Sequence, residues 1–186
     1  MAIMAKDEGG GKDFEPVPAG SVQAVCFGVW DIGLQESTWN GQTKRKHKIV
    51  VGFETTHQTK EGARMIIYKH YTLSLSAKAN LSADLEGWMG KAFKDEERTQ
   101  GFNVETLVGQ NGILAIVHKE SDGKTYANIT GISPLMSGME KITPEAEQTA
   151  PEWIQKKYLS ADPVTDEPET DVDFDMSTAG KNEQSF

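Results

Sequence analysis

Lys44, Arg45, Lys46 and Lys48 fall within five residues of a chain whose formal net charge is -9. Like charges this close repel one another unless water or an anion takes them up, and an acidic chain offers no general basic bias to explain them. Immediately before them stands Trp39-Asn40-Gly41, a large ring beside a strong reversal signal and hard to bury in a core. Cations that track phosphates and rings on which bases stack are the two components of single-strand recognition, each stack contributing roughly 1 to 3 kcal/mol. Lys60, Arg64, Tyr68, Lys69, Lys119, Lys124 and Tyr126 are further groups of these two kinds. A four-cation cluster serves equally well as a solvated guard on an exposed edge, and strand tyrosines are commonly half-buried structural groups. Position decides between these readings.

Other chemistries find little support. Cys26 lies in the apolar run "VQAVCFGVW" and reads as a core residue, while His47, His57, His70 and His118 show no metal-ligand spacing. There is no Gly-rich phosphate loop, no His-Glu-x-x-His and no Gly-x-Ser-x-Gly. Asp95, Glu96 and Glu97 read as a solvated helix end, and His118 as a strand-end histidine. No enzymatic activity, cofactor or metal is therefore expected.

The elements that must position the cations come from periodicity. Residues 21–32, "SVQAVCFGVWDI", are β-branched and aromatic, with Gly28 where a strand would bend, and predict a curved first strand. Residues 31–43 carry Gly33, Asn40 and Gly41 and read as the loop that follows. Residues 46–54 alternate with period two, which places His47, Ile49, Val51 and Phe53 on an apolar face and leaves a more polar one. Residues 64–75 predict a third strand with Met65, Ile67, Tyr71 and Leu73 on one face. Leu81, Leu85, Trp88 and Met89 then change the period to that of an amphipathic helix, starting from a Ser76 cap and stopping near Gly90. Residues 112–119 and 124–132 supply a fourth and fifth strand joined by "ESDG".

Three consecutive strands, a helix and two more strands do not suit a parallel βαβ sheet. The order predicts a mainly β fold: an OB-fold-like five-stranded barrel with one helix between strands 3 and 4. Such barrels bind oligomers across strands 2 and 3 and the loops joining strands 1 to 2 and 4 to 5. The expected division is a flexible arm over 1–19, the barrel over 20–135, a short helical extension over 136–159 begun at Pro144 and Pro151, and an acidic disordered tail over 160–186. Eight acids against Lys181 give that tail a net of -7, so residues 1–159, with 18 of the 19 cations and 20 of the 28 acids, carry -2. No apolar run approaches a membrane span of about 20 residues and no signal peptide is evident, which predicts a cytoplasmic protein without a membrane partner.

The segments "PAGSVQAVCFGVWDIGLQ", "KHYTLSLSAKANLSADLEGWMGKAF", "LVGQNGILAIVH" and "YANITGISPL" resemble a group of bacteriophage OB-fold single-stranded-DNA-binding proteins, often described only as hypothetical. The likeness covers residues 18–135. It implies a non-enzymatic DNA-coating protein of phage replication or recombination, acting in the host cytoplasm. "DEPETDVDFDM" is similar in composition to the acidic tails through which bacterial single-strand binders recruit replication and recombination proteins and compete with DNA, although "GKNEQSF" at the end lacks a dense acidic run. The alternative is a protein-interaction module, or a DNA-mimicking inhibitor of a host nuclease or repair protein. Homo-oligomerisation is open.

Overall fold

Runs of β-branched and aromatic residues form long strands here, in a computed structural model that describes residues 15–159. The strands are β1 (Gly20–Trp39), β2 (Gln42–Gln58), β3 (Arg64–Thr72), β4 (Asn111–Ser121) and β5 (Lys124–Ser133). They make one antiparallel sheet in the order β3-β2-β1-β4-β5. β1 serves two neighbours, pairing β4 over residues 20–25 and β2 over 24–39. Just past the change of neighbour the pairing with β2 has a register irregularity between Cys26 and Gly28. A Cβ at Gly28 would stand 2.3 Å from the Trp30 ring, so only glycine lets that ring lie against the strand. The hydrogen-bonded ladder ends at β3 on one side and β5 on the other.

The basic stretch is not on a loop. β1 and β2 continue to a two-residue turn at Asn40 and Gly41, whose φ angles of 49° and 75° are both left-handed. Asn-Gly tolerates that geometry, which matches the twist of the strands it joins. Residues 35–39 and 42–46 pair with each other beyond the reach of β3 and β4, and form a projecting ribbon braced by the hydroxyls of Thr38 and Thr43 at 3.0 Å. Gly33 and Gly41 are turn residues and predict an irregular stretch here. Gly33, at φ 65°, sits instead in a bulge between Asp31 and Leu34.

Helix α1 (Asn80–Met89) follows β3 and buries Leu81, Leu85 and Trp88. It starts three residues later than the Ser76 cap implied, because Ser76 closes a turn of its own, accepting from the amides of Lys78 (3.3 Å) and Ala79 (2.8 Å). It ends at Gly90, φ 69°, where the sequence placed its stop. The acidic run 95–97 opens a separate short helix, α2 (Asp95–Gln100), whose Arg98 reaches Glu86, Ser82 at 2.6 Å and the Leu75 carbonyl. The inner face of the sheet, with Cys26, Val51, Phe53, Tyr71 and Leu114, packs against α1. Burial pushes the Cys26 thiol up to about 12, which keeps it an inert core group. Val17 is also buried, and His118 Nε2 lies 2.8 Å from its carbonyl oxygen, so the folded part begins before Gly20 and residues 15–19 are not a free arm. Residues 1–14 of the expected arm and the tail 160–186 lie outside the described residues.

The outer face overturns the expectation of a polar, open surface over β2 and β3. Phe27, Trp30, Ile32 and Val50 form a second buried cluster, closed by Ile154 and by Ala146 and Ala150. The cover is a strap made by residues 136–159, irregular over most of its length rather than helical. Pro144 starts no helix, while Pro151 precedes one turn, Glu152–Ile154, that runs on as a π-helical turn, Gln155–Leu159. The strap is pinned along its course. Asn111 brackets Ile142 through both polar atoms of its side chain, at 2.8 and 2.9 Å. The buried Glu54 carboxylate accepts from the amides of Glu145 (3.0 Å) and Ala146 (2.8 Å) and from Arg64 (2.8 Å), and the Trp30 indole donates to the Gln148 carbonyl at 3.2 Å.

Candidate nucleic-acid interface

Period two along β2 sorts the basic cluster. Lys44, Lys46 and Lys48 share a face with Val50 and Gly52, whereas Arg45 and His47 point to the other side, His47 to Asp31 at 2.6 Å. Where the ribbon leaves the sheet, Lys46, Lys48, Lys78 and the hydroxyls of Ser74 and Ser76 line an open cleft of about 400 Å³. A second cleft of about 420 Å³ shares Lys48 and His70 with it, and its far wall is the end of the strap, Trp153, Lys157 and Tyr158. Lys44, Arg45, Lys46, Lys48, Lys78 and Lys157 form no ion pair with a described residue. Glu36 is the carboxylate that lines the second cleft.

Rings stand beside these cations. Trp153 meets Tyr68 edge-on at 5.2 Å and Tyr158 edge-on at 6.4 Å, and is tilted against His70 at 5.9 Å. Lys157 Nζ lies 5.1 Å from the Tyr158 ring centre. Burial lowers the basicity of His70, and the neighbouring Lys157 and Lys48 lower it further, so the imidazole is neutral at pH 7. Burial likewise raises the Tyr68 phenol, with Trp153 opposing the shift.

The other expected site residues divide by what holds them. Arg64 is engaged by Glu54 (2.8 Å) and Glu145 (3.0 Å), and Lys69 by Asp84 (2.5 Å); both cations stitch the fold and are not displayed for a ligand. Asp84 also accepts from Tyr71 at 2.6 Å, and burial together with this carboxylate pushes the Tyr71 phenol well above its usual range. Tyr68 is half-buried between Phe27, Trp30 and Trp153, so it supports a ring and is not itself open to a base. Lys60 is exposed in the β2–β3 turn, at the opposite end of β2 from Lys44, Lys46 and Lys48. Trp39 closes β1 opposite Gln42, and its side chain lies outside the described parts.

Lys119, Lys124 and Tyr126 form a second group on the β4–β5 hairpin. Lys119 stands opposite Tyr126, which is 49% exposed, and Lys124 is two residues along the same strand. This hairpin leaves the sheet at the Gly20 end of β1 and the basic ribbon at the Trp39 end, so the two groups extend from opposite ends of one strand.

Lys78, His70, Trp153, Lys157 and Tyr158 escaped the sequence reading. Of these, "EWIQKKY" shows the same alternation of ring and cation that singled out the ribbon, and Lys78, which the Ser76 cap put inside the expected helix, stands in the turn before α1. Among the described residues no group of three His, Cys, Asp or Glu side chains could hold a metal ion, and no helix is long and apolar enough to cross a membrane. Comparison with protein-family models and with curated proteins finds no match for this sequence.

Proposed function

We propose that this protein binds single-stranded DNA with little sequence preference, as a non-enzymatic component of phage replication or recombination. The observation that carries the reading is the pair of clefts meeting at Lys48 and His70, in which lysines without ion pairs stand beside a cluster of packed rings. Lysines at Lys46, Lys48 and Lys78 hold phosphates, and the neighbouring hydroxyls donate to them. Lys119, Lys124 and Tyr126 form an outlying contact on the second hairpin. The fold behind it is OB-fold-like: β1 pairs both β2 and β4, and joining β3 to β5 would turn the sheet order into a five-stranded Greek-key barrel. The path differs from the one first expected, since the β2–β3 face lies under the strap and the ligand runs along its edge.

The acidic tail enters the same scheme as an intramolecular competitor and as a handle for replication or recombination proteins. Tyr158 lines the second cleft one residue before the described chain ends, so residues 160–186, with their net of -7, continue from the wall of a cationic site. The same acidity favours one rival, a DNA mimic that binds a host nuclease or repair protein. Gel or filter binding with single-stranded and duplex oligonucleotides of equal length separates them. A single-strand binder retains oligonucleotides of any sequence, with affinity falling as salt rises by a log-log slope of about -0.7 per phosphate contact. A mimic retains neither, and that result would sink the reading.

A further inference from the structure

We propose that the end of the strap is part of the binding site itself, with Trp153 as the platform on which a base stacks and Lys157 as the cation for its phosphate. The inference rests on the single-strand reading above and assigns the stacking partner within it. On the outer face, Phe27 and Trp30 are buried beneath Ile154 and offer no ring to a base. Trp153 lies just beyond that seal and is 37% exposed, whereas Trp30 and Trp88 are each 8% exposed. Exposure alone would mark only a loose side chain. Here Tyr68, His70 and Tyr158 pack against the indole at 5.2, 5.9 and 6.4 Å, which restricts its motion before any ligand arrives.

The surroundings suit a nucleotide better than a purely apolar ligand. The cleft of about 420 Å³ is of ligand-binding size and sets Lys48 on one wall against Lys157 on the other. Together they outweigh Glu36, leaving net positive charge beside a fixed ring. A neutral His70 between them adds a further flat group and can donate one hydrogen bond. Ring and cation on one wall are the combination that holds an unpaired strand without reading its sequence.

The full-length protein tests this with oligothymidylate and an abasic deoxyribose-phosphate oligomer of the same length. Trp153→Ala is expected to weaken oligothymidylate binding roughly 5- to 150-fold and to change abasic binding little, because only the stacking contact is lost. Lys46→Ala is expected to weaken both. A conservative variant guards against loss of fold: Trp153→Phe keeps a ring and most of the affinity but removes the part of the tryptophan quenching that oligothymidylate causes at this position, measured against a Trp39→Phe background. Equal binding by wild type and Trp153→Ala, or unchanged quenching in Trp153→Phe, overturns the platform and leaves the lysine clefts standing. Failure of the wild type to bind either oligomer removes the single-strand reading and this inference with it.

Discussion

Replacing Lys46, Lys48 and Lys78 by alanine should flatten the salt dependence of single-strand binding. All three line the cleft at the base of the ribbon, and none is paired with a described carboxylate, so each is free to displace a counterion from a phosphate. At about 0.7 per contact, three contacts contribute roughly 2 to the log-log slope. Across a fourfold rise in salt, the wild type should therefore lose about 16-fold more affinity than the triple variant does. The measurement is a titration of a labelled oligothymidylate by anisotropy at several salt concentrations, with melting curves to show that these substitutions leave the fold intact. Arg45→Ala is the internal control, because Arg45 faces away from the three lysines although it lies among them in sequence. A triple variant with the wild-type slope would refute the placement of phosphates in this cleft. An Arg45→Ala slope change as large as that of the triple variant would refute the sorting by strand face.

Glu54→Ala leaves two strap amides and Arg64 without their shared acceptor, and should destabilise the protein by about 2 to 4 kcal/mol, seen as a lower Tm and a red-shifted emission as Trp30 meets water. His70 has its basicity lowered by burial and by Lys157 and Lys48, so the folded protein resists a proton that the unfolded chain accepts, and stability should decline as pH falls through the ordinary histidine range near 6.5. Bound phosphate offsets the two lysines and eases protonation, so DNA affinity should rise from pH 7.5 to 5.5, and His70→Asn should remove that part of the rise while His47, His57 and His118 remain. Deleting residues 160–186, which carry a net of -7, should tighten DNA binding at low salt and have little effect at high salt; identical affinities at low salt would leave the tail without a competing role.

The strands and helix were legible because their signals are local. Alternation along residues 46–54, the apolar stripe from Leu81 to Met89 and the stop at Gly90 all depend on neighbours a few positions away, and each stands where the periodicity put it. The strap was not legible, since its anchors carry little side-chain signature: two are backbone amides of Glu145 and Ala146, and one is the carbonyl of Gln148. Arg64 and Lys69 misled for a related reason. Their carboxylate partners lie 10 and 15 residues away, on a neighbouring strand and on α1, and nothing in a run of sequence says that a lysine is already spoken for. Ribbon cations could be found from composition, but which of them share a face depended on continuing the strand through Gly33 to the Asn-Gly turn.

The same packing decides whether the strap is a removable lid or a wall. Gly52 lets the rings of Phe27 and Trp30 approach β2 closely, since a Cβ there would stand 2.7 Å and 2.9 Å from them, and Ile154 then completes an apolar layer that buries both. Peeling the strap away would return Ile154 and the side chains beneath it to water, at roughly 1.5 to 3 kcal/mol for each large one, besides breaking the Glu54 and Trp30 contacts. Contacts to DNA would have to supply that energy before any net affinity appeared. A strand bound along the strap's edge meets no such requirement and uses Trp153 and Lys157 where they already stand. The two cases predict opposite signs for Glu54→Ala. Loosening a lid should tighten DNA binding, whereas loosening a wall that carries its own ring and cation should weaken it.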